Sequence, residues 1–206
     1  MAFKDTLAEV VNAAKAIITD DGFVNERLAE GSEPNAIEIL KEDHRRVEAL
    51  FKEILSEKSN SLMQQRSKIA AVLAELTLHA KVEETLLYPA VYKKTSSDTK
   101  PRLEVLEAFE EHGSMKELTK KLKKLTGRDE SRKAKVKVLS EITEHHVKEE
   151  ESTFFPDAQK LLGEEKLREI GRAILKLKSR SIRSAAGKRT RKTGAKKATA
   201  KSRMHR

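Results

Sequence analysis

Two short stretches of this chain carry side chains that could do chemistry together. His79-Ala80-Lys81-Val82-Glu83-Glu84-Thr85-Leu86-Leu87-Tyr88-Pro89 and His146-Val147-Lys148-Glu149-Glu150-Glu151-Ser152-Thr153-Phe154-Phe155-Pro156 each hold a His, a Glu four residues on, a second Glu, two bulky residues and a Pro. They lie 67 positions apart and align without a gap. Each is preceded by a lone His beside an acid, Asp43-His44 and Glu111-His112, 68 positions apart. The chain therefore reads as one unit used twice. Residues i and i+4 lie on one helix face, a turn apart, so the His nitrogen and Glu carboxylate of each pair can point at a common centre. Four helices with inward His, two of them with inward Glu, suit a metal site inside a bundle.

The elements that must position these groups follow from apolar spacing. Ile37, Leu40, His44, Val47, Phe51 and Ile54 recur at helical intervals after Ser32-Glu33-Pro34, which reads as the helix start. Ile69, Val72, Leu76, His79, Glu83 and Leu86 form the next stripe, with Pro89 expected to kink its end. Pro101 opens a third helix with Val105, Phe109, His112, Met115, Leu118, Leu122 and Leu125 inward. The fourth begins near Glu130 and carries Leu139, Ile142, His146 and Glu150. His and Glu in apolar stripes need a compensating partner, because an unpaired buried carboxylate costs several kcal/mol. One register stays open: His145 with Glu149 has the same spacing as His146 with Glu150. The Val138–Ile142 spacing favours the former, and alignment of the two Pro residues favours the latter, which we adopt.

Outside the four helices, residues 1–34 read as an N-terminal helix (Leu7, Val10, Val11, Ala14, Ile17, Ile18) and linker. Gly163 introduces a short C-terminal helix with Leu167, Ile170, Ile174 and Leu177. The chain lacks Cys, which rules out disulfides and thiolate metal sites, and no apolar run reaches a membrane-spanning length. A cytoplasmic protein is expected. The net charge of +10 is uneven: from Lys176 to Arg206 there are 13 Lys or Arg and no acid, leaving the remainder at −3. Residues 179–206, with Lys188, Arg189, Arg191, Lys192, Lys196, Lys197, Lys201 and Arg203 among Ala, Ser, Thr and Gly, have no apolar face and are expected to be disordered alone. Such a tail suits non-specific contact with nucleic acid, and it resembles the basic tails of linker histones and lysine-rich nucleoid proteins.

Across residues 35–178 the pattern of His44, His79-x-x-x-Glu83, His112 and His146-x-x-x-Glu150 resembles the hemerythrin-like, or HHE cation-binding, domain. The resemblance implies an all-α protein: an up-down-up-down four-helix bundle around a carboxylate-bridged, non-haem di-iron centre. By position, Glu83 and Glu150 would be the bridging carboxylates, with His44, His79, His112 and His146 as terminal ligands. Where oxygen-carrying hemerythrins have a further His four residues after the third-helix His, this chain has Lys116; they also end the fourth-helix motif in Asp, not Glu. Fewer nitrogen ligands leave coordination positions for O2, peroxide or NO, so reactivity, catalase-like in its enzymatic form, is expected over reversible O2 carriage. Iron sensing or a tail-driven role on nucleic acid are the alternatives. Imidazole and carboxylate suit iron, manganese or zinc alike. The Glu-x-x-His of ferritin-type sites is absent.

Overall fold

The computed structural model describes residues 33–56, 62–125 and 129–203, with side chains as far as Ser181. The described elements are helices α1 (Ala36–Leu55), α2 (Leu62–Val82), α3 (Tyr88–Lys94), α4 (Lys100–Lys124), α5 (Ser131–Glu149) and α6 (Phe155–Arg203). A five-residue π-helical turn joins α2 to α3 (Glu83–Leu87) and another joins α5 to α6 (Glu150–Phe154). No strand occurs among the described residues.

α1 starts on Asn35, whose side chain accepts from the Glu38 amide at 3.0 Å while the Glu38 carboxylate accepts from the Asn35 amide at 2.8 Å. This reciprocal cap places the start one residue beyond Pro34, not at Ser32, because Asn supplies the acceptor that the first-turn N–H groups need. The π turns have a similarly local cause. Pro89 and Pro156 each lack an N–H and crowd the carbonyl four residues back, and the wider turn relieves both demands. Tyr88 N–H reaches Glu83 O and Phe155 N–H reaches Glu150 O across these turns. Each turn begins on the Glu of a His-x-x-x-Glu pair.

Helices α1, α2, α4 and α5 form the up-down-up-down bundle: α1 packs on α2 and α5, and α4 on α2 and α5. Two apolar layers fill it. One is built from Val47, Phe51, Val72, Leu76, Met115 and Leu139. The other contains Leu40, Val82, Leu87, Tyr88, Val105 and Phe155, and is extended by Leu167, Ile170 and Ile174 of α6. The polar repeats lie between these layers. α6 breaks at Gly163 (φ 73°), a conformation that favours glycine, and then runs back along α1. Gly171 allows the close approach: a Cβ there would lie 2.7 Å from Pro34 O.

One expectation shifts. Phe109 is 39% exposed, and Ala108, one residue earlier, takes the inward place, while Val105, His112, Met115 and Leu122 are buried as expected. The backbone of α6 is helical as far as Arg203. Ala, Lys and Arg are good helix formers, and no Pro interrupts them. The N-terminal helix of residues 4–18 lies outside the described residues, as do the side chains of the basic tail from Arg183 onward.

Candidate metal centre

The two repeats bring His44, His79, Glu83, His112, His146 and Glu150 into one buried cluster. Their ring nitrogens form two facing pairs: His44 Nε2 is 3.1 Å from His79 Nε2, and His112 Nε2 is 3.1 Å from His146 Nε2. A carboxylate oxygen lies between the pairs from each side. Glu83 Oε2 is 3.1 Å from His79 Nε2 and 3.4 Å from His112 Nε2. Glu150 Oε2 is 3.3 Å from His44 Nε2 and 3.5 Å from His146 Nε2. The helical i, i+4 spacing sets one His–Glu contact for each carboxylate, and bundle packing sets the other. His145 and Glu149 face solvent, at 64% and 51% side-chain exposure, so the alternative register lies outside this cluster.

Every His in the cluster is held from behind by a carboxylate. Nδ1 of His44 meets Glu151 at 2.8 Å, His79 meets Asp43 at 3.4 Å, His112 meets Glu84 at 2.8 Å and His146 meets Glu111 at 2.7 Å. Acceptors at Nδ1 fix the proton there and turn the Nε2 lone pair inward, an arrangement that orients His ligands and raises their basicity. The supporting acids are the sequence neighbours of the ligands: the residue before each lone His, and the second Glu of each His-x-x-x-Glu-Glu. Sequence reasoning saw these doubled acids as part of the repeat and assigned them no role. The repetition itself was the signal.

Does the cluster fit a cation? Four inward lone pairs and two carboxylates face one another with little else to satisfy them. Both oxygens of Glu83 and Oε2 of Glu150 are buried without a hydrogen-bond partner, a costly state for anionic atoms unless a positive charge compensates them. Among protein groups alone, protons do part of that work. Burial opposes charge on His44, yet the neighbouring Glu150 and Glu151 carboxylates push it up to about 10, while burial drives the facing His79 down to about 4. Burial and the Glu150 charge raise Glu83 well above the usual carboxylate range, whereas His146 and His44 overcome burial to hold Glu150 below it. His44, His79, Glu83 and Glu150 could hold one ion, and Glu83, His112 and His146 a second, with Glu83 common to both.

Residues 35–158 match the family described as Hemerythrin HHE cation binding domain. The chain belongs to that family. A crystal structure of a hemerythrin HHE cation-binding domain-containing protein from Mycobacterium kansasii shares the fold, with a TM-score of 0.63 and 24% identity, covering 75% of this chain and 91% of that one. A protein named DNA nickase from Nostoc sp. (strain PCC 7120) is 28% identical over 179 residues, 85% of this chain. The chain spans about half the length of that relative, 49%. As a member of the HHE family the chain has a metal-cation site. No described helix is long and apolar enough to cross a membrane.

The open side of the HHE cluster is a cavity of about 250 Å³ that touches all four ring systems and is walled by Val47, Leu76, Met115 and Thr143. Lys116 sits at its margin, where its ammonium holds Glu84 (2.7 Å to Oε2) instead of facing the cluster. On the opposite side Tyr88 donates to Glu150 Oε1 at 2.8 Å, and burial with the nearby carboxylates keeps its phenol protonated.

Proposed function

We propose that this chain is a non-haem di-iron protein whose centre, held by His44, His79, Glu83, His112, His146 and Glu150, reacts with O2, NO or peroxide, with peroxide decomposition as its enzymatic form. The observation that carries the reading is the conjunction of unpartnered Glu83 oxygens between two facing His pairs with an adjoining small cavity. Iron bound there would supply a redox couple and Lewis acidity shared between two ions. The remaining parts are the protein's own. Glu151, Asp43, Glu84 and Glu111 hold the imidazoles in one orientation, and Tyr88 keeps a proton on the Glu150 side. Lys116, engaged with Glu84, adds no donor, so room for an exogenous ligand is retained. A cavity of about 250 Å³ is several times the roughly 30 Å³ share of one water and below the usual ~300–1,000 Å³ range of organic ligand sites. A diatomic or peroxide fits that scale.

Metal content and the optical spectrum of freshly purified protein test this directly. About two iron ions per chain, near-ultraviolet absorption of a bridged centre, air oxidation of the reduced protein and peroxide turnover abolished by His112→Ala are expected. Negligible turnover with full iron content would leave an iron buffer or sensor. An oxygenated adduct released intact under vacuum would overturn the reactive reading.

A second reading, association with DNA, is favoured by the acid-free tail and by the relative named DNA nickase. Glu83 is 0% exposed, so a duplex cannot reach the centre, and only DNA binding is carried over. Lys178 is not part of the binding tail, because it is buried against Asp43. Beyond Ser181 there remain 10 Lys or Arg. If about 6–8 meet phosphates, the log–log salt slope for duplex binding is about −5 to −7. A chain ending at Ser181 should lose that binding; equal binding by both chains would remove the tail from the account.

A further inference from the structure

A second cavity, of about 390 Å³, opens on the outside of the bundle between α4 and the α5–α6 junction. Glu104, Glu107, Glu111 and Glu149 line it, Lys100 is the one lysine in its wall, and Glu150 of the buried cluster forms part of its lining. Two observations point to a cation. First, Glu111, His145 and Glu149 each offer a ligand atom within 4.8 Å of the others: His145 Nε2 is 3.3 Å from Glu149 Oε1 and 3.7 Å from Glu111 Oε1. Second, Glu104 in the same lining has one buried carboxylate oxygen, Oε2, with no hydrogen-bond partner. Lys100 serves the other Glu104 oxygen, at 3.1 Å, and Asp157 at 3.7 Å.

We propose that Glu111, His145 and Glu149 form a surface acquisition site for a divalent cation, which passes along this acidic cavity to Glu150 and the buried centre. The proposal rests on the metal-binding reading of that centre. Glu111 links the two places physically, since one carboxylate oxygen faces His145 while the other holds His146 Nδ1 at 2.7 Å. The charge balance selects this entrance. The cavity on the far side is fringed by Lys116, Lys120 and Lys123, which repel a dication and leave that side to neutral or anionic ligands. The Asp43 side is closed altogether, because Lys178 and Arg46 cover its carboxylate. Clefts lined by one sign of charge raise association rates by factors of about 10 to 1,000, so the acidic mouth governs loading rate. Its ligands are exposed and three in number, so residence there is brief.

The test uses full-length, metal-free protein and Co2+ alone, followed by absorbance under anaerobic conditions at low ionic strength. His145→Ala combined with Glu149→Gln should slow uptake about tenfold while leaving the final tight-binding stoichiometry and the melting temperature unchanged. In equilibrium titration the parent should show one weak site beyond the tight ones, and the double variant should lack it. Glu141→Gln with Glu144→Gln removes two exposed charges elsewhere on α5 and should leave the rate as it was. Equal slowing by that control, or unaltered uptake in the His145/Glu149 variant, overturns the acquisition site. Failure of the underlying reading looks different. Parent protein that takes up no tight Co2+, and behaves like Glu83→Ala, has no buried centre to feed.

Discussion

The two repeats build the same half-site and then part company at two places. Tyr88 and Phe155 occupy equivalent positions after the π turns, and each ring lies against the lone His of a repeat, Tyr88 near His112 and Phe155 stacked on His44 at 5.7 Å. Only Tyr88 carries a hydroxyl, so Glu150 has a hydrogen-bond donor and Glu83 has none. Asp43 and Glu111 are likewise equivalent. Asp43 is fully buried beneath Lys178, while Glu111 looks outward to His145 and Glu149. Ligand orientation is thus duplicated, whereas proton control and access are each confined to one half. The repeated residues supply the cage, and the differences between the repeats give it a direction.

Breaking the cage gives the largest expected effect. Glu83→Ala and Glu150→Ala should each reduce metal content to near zero, with Glu149→Ala retaining it. The same pair separates in metal-free stability. Glu150 is ionised between His44 and His146, so its loss strands buried positive charge and costs about 3 kcal/mol or more. Glu83 sits at a raised pKa with unpartnered oxygens, and its removal leaves the metal-free melting temperature higher than that of Glu150→Ala. Equal melting of the two would show that the half-sites are electrostatically alike.

The supporting acids come next. Asp43→Asn leaves Lys178, 4% exposed, without its carboxylate; a denaturant titration should show a loss of about 3–5 kcal/mol. Glu111→Gln, on the open side, should cost less than about 1 kcal/mol in the same titration. Both should weaken metal binding, by roughly 10–100-fold. A similar stability loss for both would erase the distinction between closed and open halves.

Exchanging the aromatics probes the hydroxyl itself. Tyr88→Phe removes one buried hydrogen bond, worth about 1 kcal/mol, and should shift the spectrum and reactivity of the loaded centre. Phe155→Tyr should leave both nearer to the parent. Lys116→Gln is expected to have the smallest effect, within about 1 kcal/mol of stability, because its ion pair with Glu84 is half exposed. Its signature would be weaker metal binding at His112. The repeat-equivalent Glu48, which pairs with Lys52 in solvent, should tolerate Gln without change in either measurement.

Much of this architecture was legible in local pattern. Inward His44, His79, His112 and His146 betrayed themselves by standing where Leu would otherwise stand, and the aligned Pro89 and Pro156 pointed to the His146–Glu150 register. Phe109 was misplaced because a 3.6-residue period leaves neighbouring positions nearly equivalent at the edge of an apolar stripe, and only packing against a particular neighbour chooses Ala108. The doubled acids gave no sign of their task, since a carboxylate behind a ligand His is chosen by its distance across helices.

By itself, then, the sequence determined four amphipathic helices, the twofold internal repeat, the donor types and the pairing of His79 with Glu83 and of His146 with Glu150 one turn away, because these depend on backbone periodicity within a helix. Tertiary structure decided the rest: which His faces which, that Glu83 and Glu150 each span both His pairs, that Lys178 leaves the basic tail to cover Asp43, and that one flank is acidic and the other fringed with lysine. Those contacts join residues up to 135 positions apart, as Lys178 and Asp43 are. Helical periodicity does not reach that far; they exist only once α1, α2, α4 and α5 have packed and α6 has turned back at Gly163.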